Sequence, residues 1–224
     1  MILGIDTSLG TALAIVEDDG VVRASAAAAN PLGHAEVIGD LLRQVLDEAA
    51  YGPVGATGAP EPVALTHVAA GMGPGPFTGL RVGIAAATAF ALARGIPLVP
   101  VPSHHAVALE VLLADAIAGE DTPRFAVVTD ARRREFAYSV YEGMDDDGLP
   151  VCVAGPALVP RDDLDARLGT LDARRHDATA VPATLLALVA ARTLAAGRPL
   201  GPAEPLYLRT PDVSVPAPRK KVGA

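Results

Sequence analysis

One string constrains this chain more than any other: Gly71-Met-Gly-Pro-Gly-Pro-Phe-Thr-Gly-Leu-Arg-Val-Gly83. Before it stands His67-Val-Ala-Ala70, a short apolar run that reads as a buried strand; after it, about a dozen small apolar residues read as a helix. A chain that leaves a strand through glycines and enters a helix can bring backbone N–H groups to an anion. Gly71, Gly73 and Gly75 give the backbone freedom, while Pro74 and Pro76 remove donors and fix φ, so the loop is stiff as well. A tight turn without a ligand is the alternative reading. The common nucleotide loops are excluded. No Lys-Ser or Lys-Thr follows the last glycine, and the third glycine of a dinucleotide fingerprint, counted from Gly73, falls on Thr78.

The chain opens with Met1-Ile-Leu-Gly-Ile-Asp-Thr-Ser8, an apolar strand running into an acid and two hydroxyls. An acid where a buried strand emerges is costly unless it meets a cleft, a cation or hydrogen-bond donors. Taken with the Gly-Pro-Gly-Pro-Phe-Thr-Gly-Leu-Arg-Val-Gly string, this opening resembles the bacterial TsaB (YeaZ) family. Two later pieces extend the resemblance to about residue 209: Asp130-Ala-Arg132 with Arg133-Arg-Glu-Phe-Ala-Tyr138, and Glu204-Pro-Leu-Tyr-Leu-Arg209. The resemblance implies an α/β fold of the actin-like type (sugar kinase, Hsp70 and actin; ribonuclease H-like), with two lobes and mixed sheets. It also implies a place in the machinery for threonylcarbamoyladenosine in tRNA, beside the catalytic relative TsaD. The expected division is an N-terminal lobe over residues 1–102, a smaller lobe over 103–210 and a flexible tail over 211–224.

Composition sets the remaining bounds. The 224 residues suffice for one large domain or two small lobes. A formal charge of −8, from 18 basic and 26 acidic residues, argues against gripping tRNA phosphates alone over a broad surface. The single cysteine excludes an intramolecular disulfide. No apolar run reaches the length of a membrane span and the chain opens without a basic leader, so a cytoplasmic protein is expected. Half the residues are apolar but only 4% are aromatic, so the core must be built from Ala, Val and Leu.

Residues 2–6, 12–17 and 21–26 read as strands, with Asp18-Asp-Gly20 turning between the last two. The run His34–Ala49 is the clearest helix: Val37, Ile38, Leu41, Leu42, Val45, Leu46 and Ala49 recur on one face. The helix after the glycine string carries no charge over the 12 residues between Arg81 and Arg94, so it should be buried on more than one side. In the TsaB family these two helices meet a second TsaB or a TsaD. The corresponding partner face here comprises Val37, Ile38, Leu41, Leu42 and Val45 with Gly79, Val82, Gly83, Ala86, Ala87 and Phe90. Further strands are expected at 96–101, 125–130 and 136–141, a solvated turn at Asp145-Asp-Asp-Gly148, a polar helix at Arg161–Leu168 and an apolar helix at Ala183–Ala196 closed by Gly197. Residues 51–62 read as a loop. The Arg219-Lys-Lys221 end reads as a disordered tail, with contact to tRNA or a partner as the alternative.

Actin-like ATPases need a phosphate-binding turn in each lobe. The resemblance supplies the first in outline, as a vestigial cleft of Asp6, Thr7, Ser8, Gly73, Gly75 and Arg81. For the second, Val128-Thr-Asp-Ala-Arg132 stands where TsaD has a Gly-Gly turn, so a carboxylate and Cβ atoms replace bare backbone. TsaD's metal-binding histidines fall on Ser103 and Val107, and His104 and His105, as helix neighbours about 100° apart, cannot readily share one metal. Cys152 between Val151 and Val153 reads as a buried thiol. Asp130 is expected to pair with Arg132 or Arg133, and Arg81 with an acid such as Asp6, an anion or a partner's acid. No catalytic residue, metal or cofactor is expected. Two functions remain open. One is a non-catalytic subunit that homodimerises alone, binds and activates a TsaD-type enzyme, depends on a TsaE-like ATPase for turnover and meets tRNA only indirectly. The other is a self-sufficient actin-like phosphotransferase or a glycoprotease-type peptidase.

Overall fold

The computed structural model describes residues 1–29, 33–51, 59–60, 62–131 and 133–209. Residues 52–58 and 61 of the expected loop at 51–62, the residue Arg132 and the expected tail at 211–224 lie outside the described residues.

Two mixed sheets carry the fold. The first contains β1 (Ile2–Asp6), β2 (Thr11–Val16), β3 (Val22–Ala28), β4 (His67–Gly71) and β5 (Leu98–Val101), in the order β3-β2-β1-β4-β5. The first three form an antiparallel meander, and β4 and β5 join in parallel after helical crossovers. These crossovers are α1 (His34–Ala50) and α2 (Phe77–Arg94). The second sheet contains β6 (Phe125–Ala131), β7 (Glu135–Met144), β8 (Pro150–Pro160) and β9 (Arg174–Asp177), in the order β8-β7-β6-β9. Three further helices are α3 (Ser103–Ala118), α4 (Leu164–Thr170) and α5 (Ala183–Ala195).

Alternation along the strands sorts the helices into layers. On the central strand β1, Leu3 and Ile5 enter a core with Val45 and Ala49 of α1 and Ala87 and Ala91 of α2. Ile2 points the other way, into a core with Leu109 of α3 and Leu186 and Ala190 of α5. That second core continues to Phe125, Val127 and Tyr141 of the second sheet. The far face of the second sheet is covered by Leu164 and Leu168 of α4. The layers therefore run helix, sheet, helix, sheet, helix. Small side chains permit close approach: a Cβ on Gly4 of β1 would meet the Ala183 carbonyl at 2.5 Å.

The expectation that α2 is buried on more than one side is not met within this chain. Its buried residues are Gly79, Leu80, Gly83, Ala87 and Ala91, which share one face. Arg81, Ala85, Thr88 and Leu92, spaced by four and three residues, form an exposed stripe on the other side, and Leu92 is 82% exposed. The uncharged composition of α2 is thus not explained by burial inside the fold.

Cys152 also departs from expectation. It is exposed, because β8 is the edge strand of the second sheet and Val153 beside it is exposed too.

Candidate functional site

Asp6 is the last residue of β1, and the chain turns at once around its carboxylate. The Ser8 N–H donates to Asp6 Oδ1 at 2.7 Å and the Ser8 hydroxyl to Oδ2 at 3.2 Å. Ser103, the first residue of α3, donates to the same Oδ2 at 2.5 Å and lies 2.8 Å from the Ser8 oxygen. Ser103 also accepts the Gly73 N–H at 3.0 Å, and its own N–H donates to the Gly73 carbonyl at 2.8 Å. The glycine loop therefore gives its amide to a serine of this chain. Burial raises the Asp6 pKa above the ordinary carboxylate value, against the pull of the Ser103 and Ser8 hydrogen bonds.

The turn after β1 is packed shut. A Cβ on Gly71 would stand 1.8 Å from Asp6 Oδ2, one on Gly75 2.9 Å from the Ser8 Cα, and one on Gly83 2.1 Å from Thr7 Oγ1. These glycines let β4, the loop and α2 press directly on Asp6-Thr7-Ser8. Thr7 seals the contact. Its hydroxyl donates to the Gly79 carbonyl at 2.8 Å and accepts the Gly83 N–H at 3.1 Å. Asp6, Thr7 and Ser8 are all buried, so the expected cleft around them is corrected to a closed polar knot. Glycine spacing alone could not have indicated this, because the groups that meet lie about 70 residues apart in the chain.

Arg81 stands apart from that knot. Its Nε donates to the Tyr207 hydroxyl at 3.0 Å and its guanidinium lies 3.7 Å over the Phe77 ring. The expected pairing with Asp6 is corrected accordingly: Asp6 is held by hydroxyls and an amide, and Arg81 by aromatic rings. Asp130 pairs with Arg161.

The two histidines at the start of α3 reach different partners in the second sheet. His104 lies 2.9 Å from the Ser139 hydroxyl and 3.1 Å from that of Thr129, and His105 lies 3.0 Å from the Tyr141 hydroxyl. Burial, reinforced by the neighbouring His105, lowers the His104 pKa to about 3, and burial lowers that of His105 to about 4. Val107 lies in the core. Among the described residues no group of three or more His, Cys, Asp or Glu is placed to hold a metal.

An open cleft of about 660 Å³ does exist, displaced from Asp6. Pro74, Gly75 and Pro76 form one wall, Thr129 and Asp130 the other, and Leu206–Arg209 lie along it.

The expected partner residues divide in two. Val37, Ile38, Leu41, Leu42, Val82, Ala86 and Phe90 are half-buried. Val45, Gly79, Gly83 and Ala87 are fully buried within the chain, so these four are not available to a second chain. The sequence does not mark the exposed stripe of Ala85, Thr88 and Leu92, because an unbroken apolar run has no period that singles out its outer face. The sequence presents Ser103 only as a position unable to ligate a metal, and nothing local in the chain marks its tie to Asp6.

Five alternating layers around two mixed sheets, with a β3-β2-β1-β4-β5 order in the first, define an actin-like fold of the TsaD type. Two solved structures from Pseudomonas aeruginosa share it. One, described as an uncharacterized protein with similarity to peptidase YEAZ, aligns with a TM-score of 0.68 and 25% identity over 93% of this chain and 99% of its own. The other, YeaZ, aligns with a TM-score of 0.68 and 24% identity over 92% and 99%. Residues 19–157 match the family described as TsaD, tRNA N6-adenosine threonylcarbamoyltransferase. The chain belongs to this family, in its TsaB/YeaZ group. An uncharacterized Mycobacterium tuberculosis protein is 40% identical over 157 residues, a match that spans 66% of either chain. An uncharacterized protein of Mycobacterium leprae is 45% identical over 101 residues, 45% of this chain and 24% of that one. No described helix is long and apolar enough to cross a membrane.

Proposed function

We propose that this chain serves tRNA threonylcarbamoyladenosine modification as a non-catalytic subunit that binds and activates a TsaD-type enzyme. The observation that carries the reading is the closed knot at Asp6-Thr7-Ser8. In an actin-like ATPase that turn must stand open to phosphate. Here Gly71, Gly75 and Gly83 bring neighbouring backbone within about a Cβ's reach of it, and Ser103 takes the carboxylate. Replacement of the second-lobe glycine turn by Thr129-Asp130-Ala131, with Asp130 committed to Arg161, supports the same reading.

The outer face of α2 supports the binding half. Ala85, Thr88 and Leu92 form an uncharged exposed stripe beside the half-buried flank of Val82, Ala86 and Phe90. Small side chains there allow a second helix to come close. A homodimer through this face would give way to a mixed complex when a TsaD-type chain is present. The partner would gain activity only if this chain binds its competent state more tightly than its idle one.

Light-scattering mass tests the reading directly. The chain alone, then mixed with a TsaD-type protein, should pass from homodimer to mixed complex, while titration with magnesium-ATP gives no tight binding and no turnover. A chain that ignores the TsaD-type protein and turns over ATP would overturn the proposal in favour of an actin-like phosphotransferase.

A further inference from the structure

The piece Glu204-Pro-Leu-Tyr-Leu-Arg209 has no part in the knot or in the partner face, yet it touches both sheets. The Leu206 N–H donates to the Met72 carbonyl at 2.8 Å, and its side chain packs on the core of the first sheet. The next residue, Tyr207, packs its ring at a tilt of 38° against Phe77, centroids 4.6 Å apart, and accepts the Arg81 Nε–H at 3.0 Å. Two residues further on, Arg209 pairs with Glu135 at the start of β7. Four residues thus run along the open cleft from the first turns of α2 to the second sheet.

We propose that Leu206–Arg209 is a detachable strap that fixes the width of the cleft and reports to it the occupancy of α2. The report rests on the partner reading above; the strap itself does not. Arg81, which holds Tyr207, lies on the same exposed stripe as Ala85, Thr88 and Leu92. A partner that covers this stripe and takes the Arg81 guanidinium for its own carboxylates or carbonyls removes the hydrogen bond from Tyr207. Release of Tyr207 leaves the Leu206 backbone hydrogen bond, the packing of its half-buried side chain and one half-buried ion pair to hold the strap. The cleft then opens between Pro74–Pro76 and Thr129–Asp130.

Amide hydrogen exchange on the full chain tests both parts. In Tyr207→Ala the Leu206 amide should exchange at least about tenfold faster than in the wild type, Tyr207→Phe should fall between, and the Val68 amide in the first sheet should not change. Thermal melts establish that each variant is folded. Wild-type exchange at Leu206 in folded Tyr207→Ala would overturn the strap. Saturating TsaD-type protein should speed Leu206 exchange in the wild-type chain. A complex that forms with Leu206 exchange unchanged or slowed would overturn the report and leave the partner reading intact. Absence of any complex would overturn the partner reading and the report together, while the variants measured alone still decide the strap.

Discussion

The Thr7 hydroxyl occupies the space beside Gly83: it accepts the Gly83 N–H at 3.1 Å and would lie 2.1 Å from a Cβ added there. Gly83→Ala should therefore force the turn after β1 off α2 and destabilise the chain by about 1–3 kcal/mol. Gly39, exposed in the middle of α1 with nothing within 4 Å of a built Cβ, is the control. Gly39→Ala should stabilise by about 0.5–1 kcal/mol through helix propensity. Denaturant midpoints of the two variants, moving in opposite directions, are the expected result.

Ser103→Ala removes the side-chain donor to Asp6 and the acceptor for the Gly73 amide at once. A loss of about 1–3 kcal/mol is expected from two buried groups left short of a partner. Because the Ser103 hydrogen bond favours the ionised carboxylate, the deficit should be larger at about pH 8 than at about pH 4. A deficit independent of pH would separate Ser103 from the charge on Asp6.

His104 is buried neutral, with its pKa lowered from 6.5 to about 3. The unfolded chain binds a proton below 6.5 that the folded chain refuses, so stability is full above 6.5 and falls as the pH drops toward 3. Between pH 6.5 and about pH 5 the loss from His104 should be about 1.5 kcal/mol, and His105, lowered to about 4, adds in the same direction. Unfolding free energies across this window should lose most of that slope in a His104→Gln, His105→Gln chain.

Substitution of the partner face has to respect which residues are outside. Ala87 is fully buried, so Ala87→Arg breaks the core and says nothing about association. Ala85→Arg and Leu92→Arg instead place a charge on the exposed stripe and should change stability by no more than about 0.5 kcal/mol. Either one should abolish the mixed complex in a light-scattering measurement while leaving the melt unchanged. Full complex formation by both would remove α2 from the interface.

Much of the architecture is legible because local rules suffice for it. The β1–β3 meander follows from apolar runs parted by Asp18-Asp-Gly20, and α1 follows from the spacing of its Leu and Val residues. Gly197, at φ 61°, stands just past α5 as a helix-terminating glycine should. Local rules fail where burial is two-sided or a strand lies at an edge. Helix α3 sits between the sheets, so Ala106, Val107, Ala108 and Leu109 are all buried and no period survives to mark a helix. Strand β8 carries Pro150, Pro156 and Pro160, residues that argue against a central strand but suit the edge it occupies. For the same reason Cys152 is exposed although its neighbours are valines.

The site was legible only as a list of residues. Asp6 and the glycine string are conspicuous in the chain, and both lie at the junction of β1, β4, α2 and α3. Their relationship depends on long-range approach, with Gly71 against Asp6 and Gly83 against Thr7. A glycine read alone suggests open backbone, and here each one marks a place where a neighbour fills the space.

Helix α5 lies late in the chain yet covers the face of the first sheet where Ile2, Ala14 and Val16 point. During synthesis these residues emerge more than 160 positions ahead of their cover. At about 5–20 residues per second that interval lasts on the order of ten seconds or more. For all of it the apolar side chains of Ile2, Ala14 and Val16 lack the cover that α5 supplies. Protection of Ile2, Ala14 and Val16 on stalled nascent chains should therefore rise abruptly, once residues 183–195 clear the exit tunnel.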